Sequence, residues 1–415
     1  MVGYAEMTEV AIWVQTTKPA KVQIKYAKEP SGLWLEAPAV QTTDAGDDIA
    51  LIKLTNLNFG QSYTYQLWLD GTMVPRNYPL TFNTQPHWRF TTGQNTPEFQ
   101  FAFGSCSYMN DTPFDRPGTP YGGGYEVFTA IDQSKSDFMV WLGDNDYYRE
   151  PDWLTESGMR YRMRKGRSHE LMQPMLARTP SYAIYDDHDY GANDSDRSFR
   201  LKDVSLKIFK DYFPGVSYGM PGLPGCFSRF EWVDCEFFML DDRYYRSPND
   251  APESPEKVMF GKAQLQWLKD SLLNSSATFK FICNGNQMIN DNDFECFSKF
   301  PAERKELFGF LAETKIRGIV FLSGDRHTTE MLKRDWPAAP YPFIEITSSP
   351  LCSGPIAQAK PDPFGVAGTL IKERNFSTIG VSGKRGDRKL TIRTMDTKGK
   401  VLWTREVGER ELRAQ

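Results

Sequence analysis

The chain has 415 residues, of which 40% are hydrophobic, 25% charged and 14% aromatic, and this composition excludes disordered, collagen-like and coiled-coil proteins. At about 100 to 200 residues per domain, the length predicts two or three domains. The 49 lysines and arginines nearly balance the 53 aspartates and glutamates, so the net charge of -4 offers no footprint for a nucleic acid or an anionic membrane. No apolar run reaches the roughly 18 residues of a membrane-spanning helix.

Residues 1–92 are predicted to form a β-sandwich module, because short alternating segments are separated by Gly, Pro, Asn and Asp clusters without a helical period. The predicted strands are Val10–Gln15, Lys21–Tyr26, Ile49–Leu54, Tyr63–Leu69 and Trp88–Thr91. In residues 54–65 a tyrosine follows a glycine-containing turn, which resembles the E-to-F corner of a fibronectin type III (Ig-like) module. We expect a linker from Thr92 to Pro97.

From residue 98 to 415 the pattern is that of an α/β domain, since apolar runs of four to seven residues alternate with longer amphipathic segments. The predicted helices are Tyr125–Ser134, Trp153–Leu176, Leu201–Phe213, Lys262–Leu273 and Glu303–Ile316. Gly122-Gly123-Gly124 lacks the following Lys-Ser or Lys-Thr of a phosphate loop, so we interpret it as a flexible approach to the first helix. Residues 375–407 return to alternating strands that are expected to complete a sheet edge of this domain.

Six apolar runs end in residues of metal-binding or anion-binding type. The endings are Gly104-Ser105-Cys106, Gly143-Asp144, Asp186-Asp187-His188-Asp189, Asp241-Asp242-Arg243, Cys283-Asn284-Gly285-Asn286 and Ser323-Gly324-Asp325-Arg326-His327. A single acidic strand end is usually structural. Because ligands of open α/β sheets bind beyond the carboxyl ends of the strands, six such endings together predict one shared crevice.

Only four histidines occur in the chain. A histidine-rich dinuclear metal site cannot be built from so few, so a metal here would depend on carboxylate, amide, phenolate or thiolate ligands.

These endings, with Gly143-Asp144-Asn145-Asp146-Tyr147 and Gly285-Asn286-Gln287, resemble the PhoD-like branch of the calcineurin-like metallophosphoesterases in order and spacing across residues 98–375. The resemblance implies a four-layer domain with two packed sheets flanked by helices. It also implies a two-metal phosphoesterase that uses iron and calcium. Some relatives carry a C-terminal helix over the active site, and the strand-like tail of this chain predicts a more open cleft.

Charge counting supports two metal ions. The acidic groups expected to meet in one cleft are Cys106, Asp144, Tyr147, Asp187 and Asp325. Like charges so close together favour protonation, so the ionised cluster requires cations, and a trivalent with a divalent ion would match its charge. Thiolate and phenolate suit iron, whereas carboxylate and amide oxygens suit calcium. We assign Cys106, Tyr147 and His327 to an Fe(III)-like position, Asp187, Asp325 and Asn286 to a Ca²⁺-like position, and Asp144 to the bridge.

The expected reaction is metal-dependent hydrolysis of phosphomonoesters, and of phosphodiesters as well. Two cations about 3.5 to 4 Å apart would activate a shared water as hydroxide and hold the phosphoryl oxygens. His188 is expected to assist the leaving group, and by resemblance it is the histidine that lines the family's site. Arg243 is expected to bind phosphate oxygens, with a salt bridge as the alternative.

Two alternatives remain open for the function. One is a phosphodiesterase or phospholipase on the same fold, and the other is a non-enzymatic calcium-binding surface protein. Because family members are usually exported and calcium is most available outside the cytosol, we expect a periplasmic or secreted location. The substrate is expected to be a small-molecule phosphate ester.

Overall fold

A computed structural model describes residues 1–30, 32–90, 95–115, 117–292 and 295–414. The N-terminal part is β-rich. Its strands are β1 (Val2–Ala5), β2 (Val10–Gln15), β3 (Lys21–Lys28), β4 (Leu35–Glu36), β5 (Val40–Gln41), β6 (Ile49–Leu54), β7 (Ser62–Leu69), β8 (Thr72–Val74) and β9 (Thr81–Asn83). They form one sheet ordered β1-β2-β6 and another ordered β4-β3-β7-β8, with β5 beside β3 and β9 beside β7.

Alternation decides which face of these strands is buried. In β6 the side chains of Ala50, Ile52 and Leu54 are buried, and the residues between them are exposed. Four predicted strands are confirmed, but the fifth is wrong at residues 88–90, which lie in no strand. Thr91, the end of that segment, and residues 92–94 of the expected linker lie outside the described residues.

The second part alternates strands and helices. Its helices are α1 (Glu126–Gln133), α2 (Glu156–Arg167), α3 (Gln173–Leu176), α4 (Asp187–Tyr190), α5 (Lys202–Tyr212), α6 (Lys262–Asn274) and α7 (Pro301–Thr314). Its strands are β10 (Phe99–Gly104), β11 (Phe138–Leu142), β12 (Ser181–Ile184), β13 (Ser228–Trp232), β14 (Cys235–Met239), β15 (Phe279–Cys283), β16 (Ile319–Ser323), β17 (Glu330–Arg334), β18 (Phe343–Thr347), β19 (Asn375–Ser382), β20 (Lys389–Asp396) and β21 (Val401–Gly408).

Two six-stranded sheets form the core of this part, in the orders β12-β11-β10-β19-β20-β21 and β13-β14-β15-β16-β18-β17. They pack face to face through aromatic side chains: the ring centroid of Phe101 lies 5.0 Å from that of Phe237 and 5.2 Å from that of Phe281. Strands β19 to β21 complete the first sheet, which confirms the expectation for the tail. The α/β architecture with two packed sheets and a β-rich N-terminal module is therefore as predicted.

The helix predicted over Trp153–Leu176 is two helices, α2 and α3. The chain turns between residues 168 and 172, and α3 begins with Pro174 in its first turn. Proline lacks the N–H that a continuing helix needs but fits a helix start, so it explains the break.

Parallel pairing brings the strand ends to one edge. Strands β10, β11 and β12 are parallel neighbours in the first sheet, and β14, β15 and β16 are parallel neighbours in the second. The carboxyl ends of parallel strands share an edge, so all six polar endings are placed at the same end of the sheet stack.

The N-terminal module packs directly against the second part. The indole Nε1 of Trp13 donates to the carbonyl of Asp211 (2.8 Å), and the hydroxyl of Tyr65 donates to the carbonyl of Ala177 (2.6 Å). Buried apolar residues of both parts form one continuous cluster. Within the part of the chain that the structure describes, no helix is both long and apolar enough to cross a membrane.

Candidate active site

Four residues at the strand ends have left-handed backbone conformations. These residues are Cys106 (φ 63°), Asp144 (φ 52°), Asp325 (φ 63°) and His327 (φ 53°). Such values are uncommon outside glycine, and where the fold maintains them they cluster at functional sites. All four are among the residues predicted as metal ligands.

Cys106, Asp144 and His327 form the first group of candidate ligands, with one ligand atom from each lying within 4.8 Å of the others. The Sγ of Cys106 lies 3.5 Å from Oδ2 of Asp144. The phenol oxygen of Tyr147 lies 3.0 Å from Nε2 of His327, so it belongs to the same group. The opposite ring nitrogen of His327, Nδ1, lies 2.7 Å from the carbonyl of Gly354, which orients the imidazole.

Asp144, Asp187 and His188 form the second group, again with ligand atoms within 4.8 Å of one another. Asp144 therefore belongs to both groups, as a bridging ligand would. Asp325 lines the same pocket, and its carbonyl lies 3.6 Å from the Sγ of Cys106.

A third group was not predicted from the sequence. It consists of Asp187, Asp194 and Glu295, whose ligand atoms lie within 4.8 Å of one another. Asp194 lies in the loop after α4 and Glu295 in the segment before α7. Neither residue follows a strand, so the strand-end pattern gave no signal for them.

Burial disfavours the charged forms of the central ligands. Burial, and then the carboxylate of Asp325, raises the pKa of the Cys106 thiol to about 11. Burial and the neighbouring Asp187 raise the pKa of Asp144 well above its usual value, and burial followed by Asp144 does the same for the Tyr147 phenol. A cation reverses these effects, because it stabilises each anion in the dry site. The donor set therefore fits bound metal ions.

The structure pairs the amide of Asn286 with neighbouring side chains. It is fully buried, and its Oδ1 accepts a hydrogen bond from Arg246 (Nη1, 2.8 Å) while its Nδ2 donates to Asp186 (Oδ2, 3.2 Å). The amide oxygen is thus occupied, and Asn286 does not line the pocket. The assignment of Asn286 to the calcium-like position stays a prediction, and its amide oxygen has a guanidinium partner in this structure.

The guanidinium of Arg243 is also paired with neighbouring carboxylates. Its guanidinium is fully buried and pairs with Glu295 (Nη1 to Oε1, 2.7 Å) and with Asp186. It does not line the pocket, so it does not reach a phosphate there. The salt-bridge alternative describes its position, and through Glu295 it fixes one carboxylate of the third group.

His188 lines the pocket and packs on Tyr147, with ring centroids 4.2 Å apart. Its backbone N–H donates to Oδ1 of Asp144 (3.3 Å), which ties the start of α4 to the β11 ending. Burial lowers the pKa of the imidazole. A neutral, oriented imidazole at the pocket surface can donate an N–H to a bound molecule.

The groups face a pocket of about 740 Å³. The lining carries several carboxylates, among them Asp187, Asp194 and Glu295, together with two arginines, Arg326 and Arg374. A pocket of this size and polarity suits a small charged ligand.

Two facing sheets whose parallel strands deliver carboxylate, thiol, phenol and imidazole groups to one edge define a metallophosphoesterase fold. The sequence agrees: the PhoD-like phosphatase family matches residues 101–399, so the chain belongs to that family. Residues 1–87 match a domain of unknown function, DUF7800.

Individual relatives are distant. The chain is 22% identical over 305 residues to alkaline phosphatase D of Bacillus subtilis (strain 168), a match that covers 62% of this chain and about half (49%) of that protein. A solved structure of PhoD has a TM-score of 0.79 at 17% identity and covers 99% of this chain and 90% of its own. The purple acid phosphatase PPD1 from yellow lupin (Lupinus luteus) seeds has a TM-score of 0.70 at 12% identity, over 98% of this chain and 74% of its own.

Proposed function

We propose that this protein hydrolyses phosphate esters with the help of bound metal ions, and that it accepts phosphomonoesters and phosphodiesters. The observation that carries the proposal is the position of Asp144, which belongs to two ligand groups and lines the pocket. The family and the names of its relatives, alkaline phosphatase D and purple acid phosphatase, support the same chemistry.

Cys106, Tyr147 and His327 would hold a ferric ion, because thiolate and phenolate are ligands that iron accepts. Asp187 and Asp325 would hold a calcium ion, because hard carboxylate oxygens suit it, and Asp144 would contact both. When bound, such ions polarise the phosphoryl group and lower the pKa of water.

The protein's own residues orient the candidate ligands and assist the leaving group. The carbonyl of Gly354 fixes the ring of His327, so its Nε2 faces the Tyr147 phenol. His188 lies at the pocket wall, where the N–H of its neutral imidazole can donate a hydrogen bond to the leaving oxygen of the ester. Arg243 holds the carboxylate of Glu295 through its ion pair.

The donor set disfavours a calcium-binding surface protein. Calcium sites use oxygen ligands, whereas the first group joins a thiol, a phenol and an imidazole. The diesterase or phospholipase alternative shares this site, and it differs only in what the pocket accepts.

The test is hydrolysis of p-nitrophenyl phosphate with and without a chelator, by the wild type and by Asp144→Asn. We expect chelation to abolish turnover and Asp144→Asn to lose nearly all of it together with bound metal, because the variant removes a charge shared by both ions. Asp270→Asn, an exposed carboxylate on α6, is the matched control and should retain activity. Full turnover by Asp144→Asn would contradict the two-metal proposal.

A further inference from the structure

Arg374 lines the active-site pocket together with the acidic groups. It is half-buried and lies just before β19. Its Nε donates to the carbonyls of Cys352 (3.2 Å) and Ser353 (3.0 Å), and its Nη2 donates to the carbonyl of Tyr121 (3.0 Å). Three carbonyl contacts therefore hold the side chain in one orientation.

These contacts leave the charge of Arg374 uncompensated. Among the residues that the structure describes, no carboxylate lies within 4 Å of its guanidinium nitrogens, and Nη1 makes none of the three carbonyl contacts. Carbonyl oxygens satisfy N–H donors but carry no net charge.

The loop beneath Arg374 is shaped around it. A Cβ added to Gly123 would lie 3.1 Å from Nη1 of Arg374, and one added to Gly354 would lie 2.8 Å from the ring of Tyr121. Glycine at position 123 allows its loop to lie against the guanidinium, and glycine at position 354 allows close contact with the ring of Tyr121. Gly123 and Gly124 thus lie against the Arg374 side chain, in the segment that leads into α1.

Arg374 lies one tyrosine away from the candidate metal ligands. Tyr121 accepts from Arg374 through its carbonyl, and its phenol oxygen lies 3.0 Å from Nδ1 of His327. An anion on Arg374 would therefore be separated from a phosphoryl group at the metal ligands by several bonds of the substrate.

We propose that Arg374 binds a second anionic group of the substrate, a carboxylate or a phosphate carried by the alcohol portion, and so selects esters that bear two anionic groups. This inference rests on the proposed function. A guanidinium fixed in advance loses little entropy on binding, and it gives charged hydrogen bonds to carboxylate or phosphate.

The test compares two substrates that differ at one group, glycerol 3-phosphate and 3-phosphoglycerate, which has a carboxylate in place of a hydroxymethyl. We expect the wild type to prefer 3-phosphoglycerate in kcat/KM. Arg374→Gln should lower kcat/KM for that compound about 10- to 100-fold, mainly through KM, as the loss of one charged hydrogen-bonded contact would. Its effect on glycerol 3-phosphate should be much smaller.

Two further variants test whether the charge at position 374 or the carbonyl contacts of its side chain determine the preference. Arg374→Lys cannot make all three carbonyl contacts, but it retains the charge. Because the charge is what attracts the carboxylate, the preference for 3-phosphoglycerate should persist. Lys372→Gln removes an exposed charge two residues away and should change neither substrate.

Equal losses of kcat/KM for both substrates in Arg374→Gln would overturn the inference. A side chain that only supports the surrounding loops would affect all substrates alike. A wild type that does not prefer 3-phosphoglycerate would also overturn it, even if Arg374→Gln fails to fold. If the wild type hydrolyses neither compound nor p-nitrophenyl phosphate, the proposed function itself is contradicted, and the inference is lost with it.

Discussion

At the residue scale, Tyr147 gives the most direct test of the iron assignment. Its phenol lies 3.0 Å from His327, and a ferric phenolate absorbs visible light by charge transfer. Tyr147→Phe removes the phenolate, so we expect the visible band of the purified protein to shift or disappear. Tyr148→Phe is the matched control, because Tyr148 is also buried but its hydroxyl has no hydrogen-bond partner in the described structure. Metal analysis that finds only zinc or magnesium would refute the iron assignment.

Substitution of His188 distinguishes assistance to the leaving group from metal binding. We expect His188→Ala to lower kcat by about 10²- to 10⁴-fold while metal content stays near that of the wild type. An alkyl phosphate should lose more rate than p-nitrophenyl phosphate, because nitrophenolate leaves without a proton. The measurement is steady-state kinetics on both esters with metal analysis of each preparation. Equal losses, or loss of metal, would assign His188 a structural or ligand role.

The ligands that the sequence predicted share one property: each lies at or just after the end of a parallel strand. Cys106, Asp144, Asp187 and Asp325 could be found because sheet geometry alone brings such ends together. Asn286 and Arg243 also follow strands, but their side chains turn to Asp186, Arg246 and Glu295. The direction that each of these side chains takes depends on packing between distant segments, which local sequence does not encode.

At the element scale, the loops after β10 and β16 approach so closely that only glycine fits at position 324. A Cβ there would lie 2.5 Å from the Cβ of Ser105 and 2.8 Å from the carbonyl of Leu142. We expect Gly324→Ala to displace the Asp325 loop and to weaken metal binding, measured by metal titration.

Gly309 provides the matched control for that substitution. It lies inside α7, and a Cβ there would meet nothing within 4 Å. Gly309→Ala should raise the free energy of unfolding by about 0.5 to 1 kcal/mol, because alanine loses less backbone entropy in a helix. Wild-type metal affinity in Gly324→Ala would show that the two loops can move apart.

Elements with strong periodicity were predicted within a few residues, and the errors have local causes. Pro174 divides the predicted long helix, and the short strands β4, β5 and β8 have too few residues to show an alternation. The left-handed turns at Cys106 and Asp144 could not be predicted either, since neither residue type requires φ above zero.

At the scale of the whole molecule, the N-terminal module and the second part should unfold together. The indole of Trp13 is 6% exposed, donates to Asp211 and lies 5.7 Å, between ring centroids, from Tyr212. We expect Trp13→Ala to destabilise the chain by about 3 to 5 kcal/mol, as for other buried aromatic truncations. Thermal unfolding followed by near-UV circular dichroism and by residual activity should show one shifted transition.

Trp34, which is 47% exposed, provides the control, and Trp34→Ala should leave the transition nearly unchanged. Two separate transitions in Trp13→Ala, with activity retained through the first, would show that the parts are energetically independent.

Because the candidate ligands come from both sheets, metal binding also bears on the order of assembly. Cys106, Asp144 and Asp187 follow strands of the first sheet, whereas Asp325 and His327 follow β16 of the second. A complete set of ligands therefore exists only after the sheets have docked. An ion that binds the docked state alone stabilises it by about 2.7 kcal/mol when the free ion exceeds its Kd about 100-fold. Ion uptake during refolding would thus report the final docking step. Where free ions are scarce, the docked state would lose this stabilisation even in the absence of substrate.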